Sequence, residues 1–379
     1  MNPLEDYLVV DFSQFLSGPS ASLRLADFGA RVIKIEKPGK GDICRTLYTS
    51  DLIMNGESSI FHTINRNKES FAADFKDAED LKLIKKLIAK ADVVMHNFRP
   101  DVMERVGLSY DDVKAINPNV VYAEISGYGK HPDLKEHPGQ DLLLQSLTAL
   151  TWLTGNQNDG PVAMGLSIVD MLAGAHLAQG ILAALYRKAI HNVGAKVEVS
   201  MLESAIDFQF ETITTYFNDG GKLPVRTKSN NAHAYLGAPY GIYKTKDGFL
   251  ALAMGSIPVL AALLKCDALL QFPENKFSLR DKIKKVLATH LKTQNTQYWL
   301  AVLEPADIWC AKVLNYQELF AEDGFKVLDF IQEVKMGDGY AYETTRCPIK
   351  IDGEWFVSEK GSPKLGEHND KILKELISE

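Results

Sequence analysis

A single carboxylate, Asp141, stands where the chain could do covalent chemistry. It follows Pro138-Gly139 and Gln140, and an apolar run that begins with Leu142 comes directly after it. A carboxylate at such a loop-to-helix junction can cap the helix by accepting bonds from backbone N–H groups. It can equally be a nucleophile, because carboxylates attack activated acyl groups and form covalent intermediates. The spacing alone leaves both interpretations open.

A glycine-containing segment with two lysines follows the second predicted strand. Gly39 and Gly41 free backbone amides there, and Lys37 and Lys40 lie beside them. Such amides and cations can hold a phosphate. A plain surface turn explains the same residues. Because the chain has neither a Walker A motif nor a GxGxxG motif, nothing in it favours a nicotinamide dinucleotide.

An aromatic side chain and two arginines follow a later strand. Phe98 lies between Asn97 and Arg99, and Arg105 comes one or two helical turns further on. The ring could stack on a purine while the guanidinium groups bind phosphates. The alternative interpretation is the solvated start of a helix.

Asp170 is a second carboxylate in an unusual place, near the start of a long helix predicted from Ser167 to Lys188. The stretch from Ile168 to Tyr186 is apolar, but its polar residues, such as His176, favour a buried helix over a membrane span. A buried carboxylate needs a partner and often marks a functional site. A polar contact between two helices explains it equally well.

The elements that must position these residues alternate between strand and helix over the first 125 residues. Short apolar strands are predicted at 7–12, 31–35, 92–95 and 120–125. Strands buried on both faces and separated by helices indicate an α/β fold with a parallel sheet. Ligands bind at the carboxyl ends of such strands, which here fall at 12–18, 35–41, 96–100 and 126–130.

The middle of the chain has a different pattern. One helix is predicted at 202–217, the composition changes at 218–224, and 241–253 reads as a β-hairpin with an Asp-Gly turn. Short strands return after about residue 330, and a last helix begins at His368.

Composition narrows the class of protein. The 379 residues are 46% hydrophobic and 24% charged, with a net charge of -7, which is ordinary for a globular protein of two or three domains. No segment is basic enough to predict nucleic-acid binding. The four cysteines are far apart and predict free thiols rather than a metal site. The start of the sequence does not resemble a signal peptide, so we expect a cytoplasmic protein.

Several motifs occur together in a recognisable order. They are Asp11-Phe12-Ser13, Ser17-Gly18-Pro19, the run from Gly29 to Glu36, Asn65-Arg66-Asn67-Lys68, the run from Ala91 to Pro100, Ile116-Asn117-Pro118, Ser126-Gly127-Tyr128-Gly129, the run from Asp141 to Ser146, Asp170, the run from Tyr243 to Gly248, and Gly366-Glu367-His368. With these motifs, nearly the whole chain resembles the family III CoA-transferases of the CaiB/BaiF type.

The resemblance implies a fold and an assembly. A large Rossmann-like domain would comprise residues 1–217 and 330–379, and a smaller α+β domain would comprise residues 218–329. Two such subunits would interlock as a homodimer. Acyl-CoA and a small carboxylic acid would be the substrates, with no permanently bound cofactor and no metal.

The resemblance also implies roles for individual residues. Asp141 falls on the family's catalytic aspartate, which carries CoA as an aspartyl thioester between the donor and the acceptor acid. The residues that fall on the family's CoA contacts are Leu16, Ser17, Lys37, Lys76, Asn97, Phe98, Arg105 and Met201.

Two departures from related enzymes bear on the reaction. The α-methylacyl-CoA racemases have a histidine base where this chain has Gln140, and an amide cannot accept a proton from an α carbon at neutral pH. A racemase is therefore the less favoured alternative to the transferase. A CoA-binding protein without catalysis is a second alternative, which the presence of Asp141 disfavours. The glycine-rich loop of formyl-CoA:oxalate transferases is not evident, and we hypothesise a shorter lid at Gly255-Ser256. Lys135 and His137 could bind the acceptor carboxylate, or could simply be solvated.

Overall fold

The computed structural model describes residues 2–129, 133–135, 137–272 and 277–377. Within this part of the chain, contacts divide the protein into two compact units. The first contains residues 1–144, 167–208 and 328–379, and the second contains residues 145–166 and 209–327.

The observed units differ from the predicted domains. Residues 145–166 and 209–217, which the sequence assigned to the large domain, pack with the second unit, whereas residues 328–329 belong to the first. The single helix predicted at 202–217 is interrupted at Phe208 and Gln209, where the chain passes from the first unit to the second.

The strands of the first unit are β1 (Leu8–Asp11), β2 (Arg31–Glu36), β3 (Ile53–Met54), β4 (Glu57–Ser58), β5 (Glu69–Ala72), β6 (Val93–His96), β7 (Val121–Ser126) and β8 (Ala195–Ser200). Its helices are α1 (Ser17–Asp27), α2 (Ser59–Asn65), α3 (Ala78–Lys90), α4 (Val102–Arg105), α5 (Tyr110–Ile116), α6 (Asp141–Leu147), which runs into the second unit, α7 (Ile168–His191) and α8 (Met201–Asp207).

Six of these strands form the parallel sheet that the sequence predicts. The order across the sheet is β5-β2-β1-β6-β7-β8, and every neighbouring pair is parallel. Counted along these six strands, the order is 3-2-1-4-5-6, the doubly wound arrangement of Rossmann-like folds. The edge strand β5 was not predicted, because Glu-Ser-Phe-Ala lacks a run of β-branched residues.

Hydrophobic residues cover both faces of the sheet. Val9 and Val93 point into one core, in which α1 and α7 pack. Their neighbours Val10 and Val94 point into the other, in which α3 and α5 pack. This alternation follows from the two-residue period of a strand.

The helix α7 is the longest in the described chain and is apolar enough to cross a membrane by length and composition alone. Its buried residues, among them Val169, Ala173 and Leu177, belong to the core beneath the sheet. A buried core helix can be equally long and apolar. The sequence predicts a buried helix for this segment.

The second unit contains β9 (Gly241–Lys244), β10 (Phe249–Leu252), β11 (Cys310–Lys312), α9 (Phe210–Asn218), α10 (Ile257–Leu264), α11 (Arg280–Leu291), α12 (Thr296–Leu303), α13 (Tyr316–Ala321) and α14 (Asp323–Lys326). Strands β9 and β10 form the predicted hairpin within a three-stranded antiparallel sheet. The chain then returns to the first unit with β12 (Ile331–Lys335), β13 (Ala341–Thr345), β14 (Lys350–Ile351), β15 (Glu354–Trp355) and α15 (Asn369–Ile377).

Candidate active site

The order of the strands reverses between β1 and β6, and ligands of doubly wound sheets bind at this point, outside the carboxyl ends of the strands. Asn97 fixes the two loops that leave these strands. Its Oδ1 accepts a bond from the Gln14 N–H (2.8 Å), and its Nδ2 donates to the Gln14 carbonyl (2.6 Å) and to Ser17 Oγ (3.3 Å). The start of α1 is therefore held at the crevice by a side chain from the neighbouring strand.

All eight residues predicted to contact CoA follow a strand of this sheet at its carboxyl end. Leu16 and Ser17 follow β1, Lys37 follows β2, Lys76 follows β5, Asn97, Phe98 and Arg105 follow β6, and Met201 follows β8. The structure thus brings them to one edge of the sheet.

The eight predicted CoA contacts differ in how far their side chains are exposed to solvent, and therefore in how well a ligand could reach them. Lys37, Lys76 and Arg105 are exposed, as phosphate-binding cations must be. The Lys37 ammonium also lies 3.6 Å from the Asp74 carboxylate. Met201 is only 4% exposed and packs in the core, so a ligand would reach little of it.

A row of aromatic rings lies along the same edge. The ring centroids of Phe12 and Phe75 are 6.2 Å apart, and those of Phe75 and Phe98 are 5.7 Å apart. The imidazole of His96 stacks on Phe98 at 6.0 Å. Phe98 and Arg99 line a cleft of about 690 Å³ that runs past the ends of β6, β7 and β8. Phe12 is buried, so only the partly exposed rings of Phe75 and Phe98, which are tilted by 57° to each other, offer apolar surface to a ligand.

A buried ion pair holds the loop with the two glycines after β2. The Lys34 ammonium lies 2.8 Å from the Asp42 carboxylate and donates to the Ser13 carbonyl (2.6 Å). Asp42 also accepts a bond from the Phe15 N–H (3.3 Å). Burial alone would lower the pKa of Lys34, but Asp42 and the neighbouring carboxylates raise it above its ordinary value. The loops after β1 and β2 are therefore fixed against each other.

Asp141 is the first residue of α6, and its carboxylate contacts another helix. Oδ2 accepts bonds from the backbone N–H groups of Val169 (2.7 Å) and Asp170 (3.1 Å), in the first turn of the 24-residue helix α7. Ser167, at the N-cap position of α7, makes no side-chain cap bond. An N-terminus of this kind stabilises an anion through its free N–H groups and its dipole. The carboxylate is thus held by backbone donors that sequence spacing could not reveal.

Comparison with known proteins identifies the fold and its class of chemistry. The model of the family described as CoA-transferase family III matches residues 4–369. The chain belongs to this family.

Its similarity to individual members spans nearly the full chain. It is similar to the acetyl-CoA:oxalate CoA-transferase of Acetobacter aceti, at 31% identity over 99% of this chain and 96% of the relative. It is also similar to the succinyl-CoA:glutarate CoA-transferase of Homo sapiens, at 28% identity over 100% of this chain and 86% of the relative. A crystal structure of a CAIB/BAIF family protein from Brucella suis matches with a TM-score of 0.84 and 29% identity, over 99% of both chains. The family and enzyme class expected from the sequence are confirmed: the protein is a CoA-transferase.

Two glycines position the transferase's Asp141, and local sequence patterns hardly indicate their role. A Cβ atom added to Gly139 would lie 2.6 Å from the Cα of Gly127, at the end of β7. The two backbones therefore touch, which holds the residues before α6 against the sheet. The only hint in the sequence is that both glycines lie close to proposed site residues.

The structure describes most of the other residues that the sequence singled out. Lys135 lines the cleft beside Arg99, and the N–H of His137 donates to the Leu134 carbonyl (2.8 Å). Lys130, at the end of one predicted ligand-binding segment, lies outside the described residues. In the second unit, Gly255 and Ser256 lie between β10 and α10. Their roles in binding an acceptor or forming a lid remain predictions.

The second carboxylate of the transferase, Asp170, lies beside the first. Interaction with the hydroxyl and the backbone N–H of Ser17 favours its charged form and lowers its pKa. Burial, and then repulsion from Asp141, raise the pKa of Asp170 to about 6. In the described part of the chain, no cluster of three or more His, Cys, Asp or Glu side chains could hold a metal ion.

Proposed function

We propose that this enzyme moves CoA from an acyl-CoA donor to a carboxylic acid through a covalent thioester on Asp141. The observation that carries the proposal is the position of the Asp141 carboxylate on two N–H groups of α7. In the same compact unit, the residues expected to bind CoA line the carboxyl edge of the sheet.

The first half of the reaction moves CoA onto the enzyme. The Asp141 carboxylate attacks the thioester carbonyl of the donor, and CoA leaves as its thiolate, which gives a mixed anhydride. The thiolate then attacks the aspartyl carbonyl and releases the donor acid as its carboxylate. Asp141 now carries CoA as a thioester, and no proton has been taken up or released.

The second half runs the same steps in reverse. The acceptor carboxylate attacks the aspartyl thioester and expels the CoA thiolate, which gives a second mixed anhydride. The thiolate attacks the acceptor's carbonyl and frees the Asp141 carboxylate. The new acyl-CoA then leaves.

The α7 amides supply electrostatic stabilisation. Each attack on the aspartyl carbonyl places negative charge on its oxygen, and the N–H groups of Val169 and Asp170 already point at Oδ2. Fixed donors of this kind are effective because they need no reorganisation during the reaction, and loss of one typically costs ~10²- to 10³-fold in rate.

Coenzyme binding follows from the same edge of the sheet. We assign the phosphates to the exposed cations Lys37, Lys76 and Arg105. The adenine ring would pack on the aromatic surface that contains Phe98. Leu16, Ser17 and Asn97 would lie beside the part of the coenzyme nearest the crevice, and Met201 would contribute packing from the core.

We propose only the chemical class of the donor and acceptor acids. The two relatives compared above act, by their names, with oxalate and glutarate, which are dicarboxylates. We therefore propose a small carboxylic acid as acceptor, with dicarboxylates as the first to be tested. A screen of acyl-CoA donors against such acids, read by mass spectrometry, identifies the pair.

The assembly that we propose is an interlocked homodimer. In the second unit, Trp152, Leu223 and Val225 line an apolar groove of about 520 Å³. Phe217 of α9 is 73% exposed, and Tyr186 of α7, in the first unit, is 71% exposed. We take these exposed apolar side chains as candidate contacts with a second subunit, because large exposed apolar patches mark protein interfaces. A cytoplasmic location also remains a proposal from the sequence.

Trapping tests the covalent step. The enzyme is incubated with an acyl-CoA donor, quenched with hydroxylamine and digested, and the peptide that contains Asp141 is examined by mass spectrometry. We expect a hydroxamate on Asp141 in the wild type, and loss of both the adduct and the transfer activity in Asp141→Ala. CoA affinity should stay within a few-fold of the wild type.

A matched control separates chemistry from folding. Asp111 is an exposed carboxylate in the first turn of α5 and is not among the proposed site residues, so Asp111→Ala should keep both the adduct and the activity. Transfer at the wild-type rate in Asp141→Ala would end the assignment of Asp141 as nucleophile.

A further inference from the structure

Phe15, in the loop between β1 and α1, has a backbone conformation that residues with a side chain rarely adopt. Its φ is 61°, in the left-handed region. A Cβ atom disfavours this region about tenfold relative to the ordinary right-handed one. Such a conformation persists only where the surroundings enforce it, and it often marks a functional site. Two of the predicted coenzyme contacts, Leu16 and Ser17, come directly after Phe15.

The Asp42 carboxylate, from the loop after β2, holds Phe15 in this conformation. Its Oδ1 accepts a bond from the Phe15 N–H (3.3 Å) and another from the Cys44 N–H (2.9 Å). Its Oδ2 lies 2.8 Å from the Lys34 ammonium, and both of these charged side chains are fully shielded from solvent. Because this acceptor is fixed, the bond to Phe15 can form only while the loop keeps its observed shape.

The backbone of Asp42 is held by a second buried ion pair. Its N–H donates to Glu36 Oε2 (2.9 Å), and Glu36 pairs with the Arg45 guanidinium (2.7 Å). Glu36 also accepts a bond from the Ser70 hydroxyl of β5 (2.6 Å). Burial opposes the charge on Glu36, but Arg45 and Lys34 keep its pKa below the ordinary value. The turn that carries Asp42 is therefore a rigid support for the neighbouring loop.

The other bonds to the loop after β1 act on residues next to Phe15. Asn97 binds both backbone groups of Gln14, and the Lys34 ammonium donates to the Ser13 carbonyl (2.6 Å). These bonds fix the path of the chain up to Gln14. The conformation of Phe15, which decides how the chain continues into α1, depends on Asp42.

We propose, resting on the coenzyme site proposed above, that Asp42 is a positioning residue for coenzyme binding. It keeps Phe15 left-handed, so that Leu16 and Ser17 stay in the shape that receives CoA. Asp42 is buried and acts through the loop rather than by touching the coenzyme.

The size of the effect follows from the conformational preference of Phe15. The apparent affinity for a ligand falls in proportion to the fraction of protein that has the competent shape. Without Asp42, a residue with a Cβ atom favours the ordinary region about tenfold. Because Asn97 still holds Gln14, we expect the dissociation constant for CoA to rise several-fold to about tenfold in Asp42→Ala.

The experiment measures CoA binding by calorimetry, with and without Asp42→Ala, in the wild type, in Phe15→Ala and in Phe15→Gly. Alanine keeps the Cβ atom, so Asp42→Ala should weaken binding as much in Phe15→Ala as in the wild type. Glycine adopts positive φ readily, so in Phe15→Gly the loss should be about twofold or less. Comparing alanine with glycine at the same position removes any contribution of the Phe15 ring from the result.

A second set of variants covers a failure to fold. Asp42→Ala leaves the Lys34 ammonium buried beside an apolar side chain, and circular dichroism shows whether the variant folds. Where it does not, Lys34→Met is added, because apolar side chains can replace a buried ion pair without loss of stability. The difference between the Phe15→Ala and Phe15→Gly backgrounds should persist in this set.

The outcomes separate this role from the proposed function. Unchanged CoA affinity in Asp42→Ala, or an equal loss in the alanine and glycine backgrounds, would overturn the role of Asp42 alone. A wild type that does not bind CoA would contradict the coenzyme site, and this role with it. A wild type that binds CoA but forms no hydroxamate on Asp141 would contradict only the covalent step.

Discussion

Replacing Asp170 with asparagine should stabilise the folded protein at neutral pH, and the size of the effect follows from its surroundings. Folding raises the pKa of Asp170 from 3.8 to about 6, through burial and then through repulsion by Asp141. Each pH unit is worth about 1.4 kcal/mol, so keeping Asp170 ionised costs the folded state about 3 kcal/mol. The pKa of about 6 already includes the opposing effect of Ser17, which favours the charged form. The expected gain in the free energy of unfolding is therefore about 3 kcal/mol.

The sign depends on pH in a defined way. Well below pH 3.8 both the folded and the unfolded chain keep the proton on Asp170, and the wild type has no such penalty. As the pH rises towards 6, the unfolded chain loses this proton before the folded protein does, so the free energy of unfolding of the wild type falls. Above 6 the full penalty is present. The advantage of Asp170→Asn should therefore grow between pH 4 and pH 6 and then stay constant.

Thermal unfolding of the two proteins at about pH 4.5 and about pH 7.5 measures this difference. The melting temperature of Asp170→Asn should exceed that of the wild type by several degrees at the higher pH and by much less at the lower one. Asp111→Asn, an exposed substitution on α5, should shift neither value. A variant less stable than the wild type at pH 7.5 would refute the reasoning, because burial and repulsion together would then not disfavour the charge on Asp170.

Two further predictions concern the coenzyme and the assembly. Arg105→Ala should weaken CoA binding about tenfold or more in calorimetry, because a charge-assisted bond to a phosphate contributes about 1.5–3 kcal/mol. Lys82→Ala, at an exposed lysine of α3, should leave the affinity for CoA unchanged. Unchanged affinity in Arg105→Ala would remove Arg105 from the site. Light scattering should give twice the mass of one chain for the wild type. Phe217→Asp, on the exposed face of α9, should lower the measured mass towards that of one chain. A wild type that is monomeric at every concentration would contradict the homodimer.

Much of the first unit could be predicted because its signals are local. Short apolar strands such as 31–35 and 92–95 alternate with helices, and this pattern alone indicates a parallel sheet. The polar and glycine-containing segments after these strands then fall at one edge, where Lys37, Asn97 and Phe98 are found. The second unit was harder, because the packing of residues 145–166 with residues 209–327 depends on contacts between distant parts of the chain, which local composition does not indicate.

The sequence by itself determined the fold family, the class of enzyme and the identity of the residues at the edge of the sheet, since these depend on periodicity and on motifs in a fixed order. It left Asp141 undecided between a cap and a nucleophile. Only the tertiary structure placed its carboxylate on Val169 and Asp170, which are 28 and 29 residues away in the chain. Contacts of this kind depend on how α1, α6 and α7 pack together, and close packing at Gly174 and Gly139 leaves no mark in the local spacing of residues.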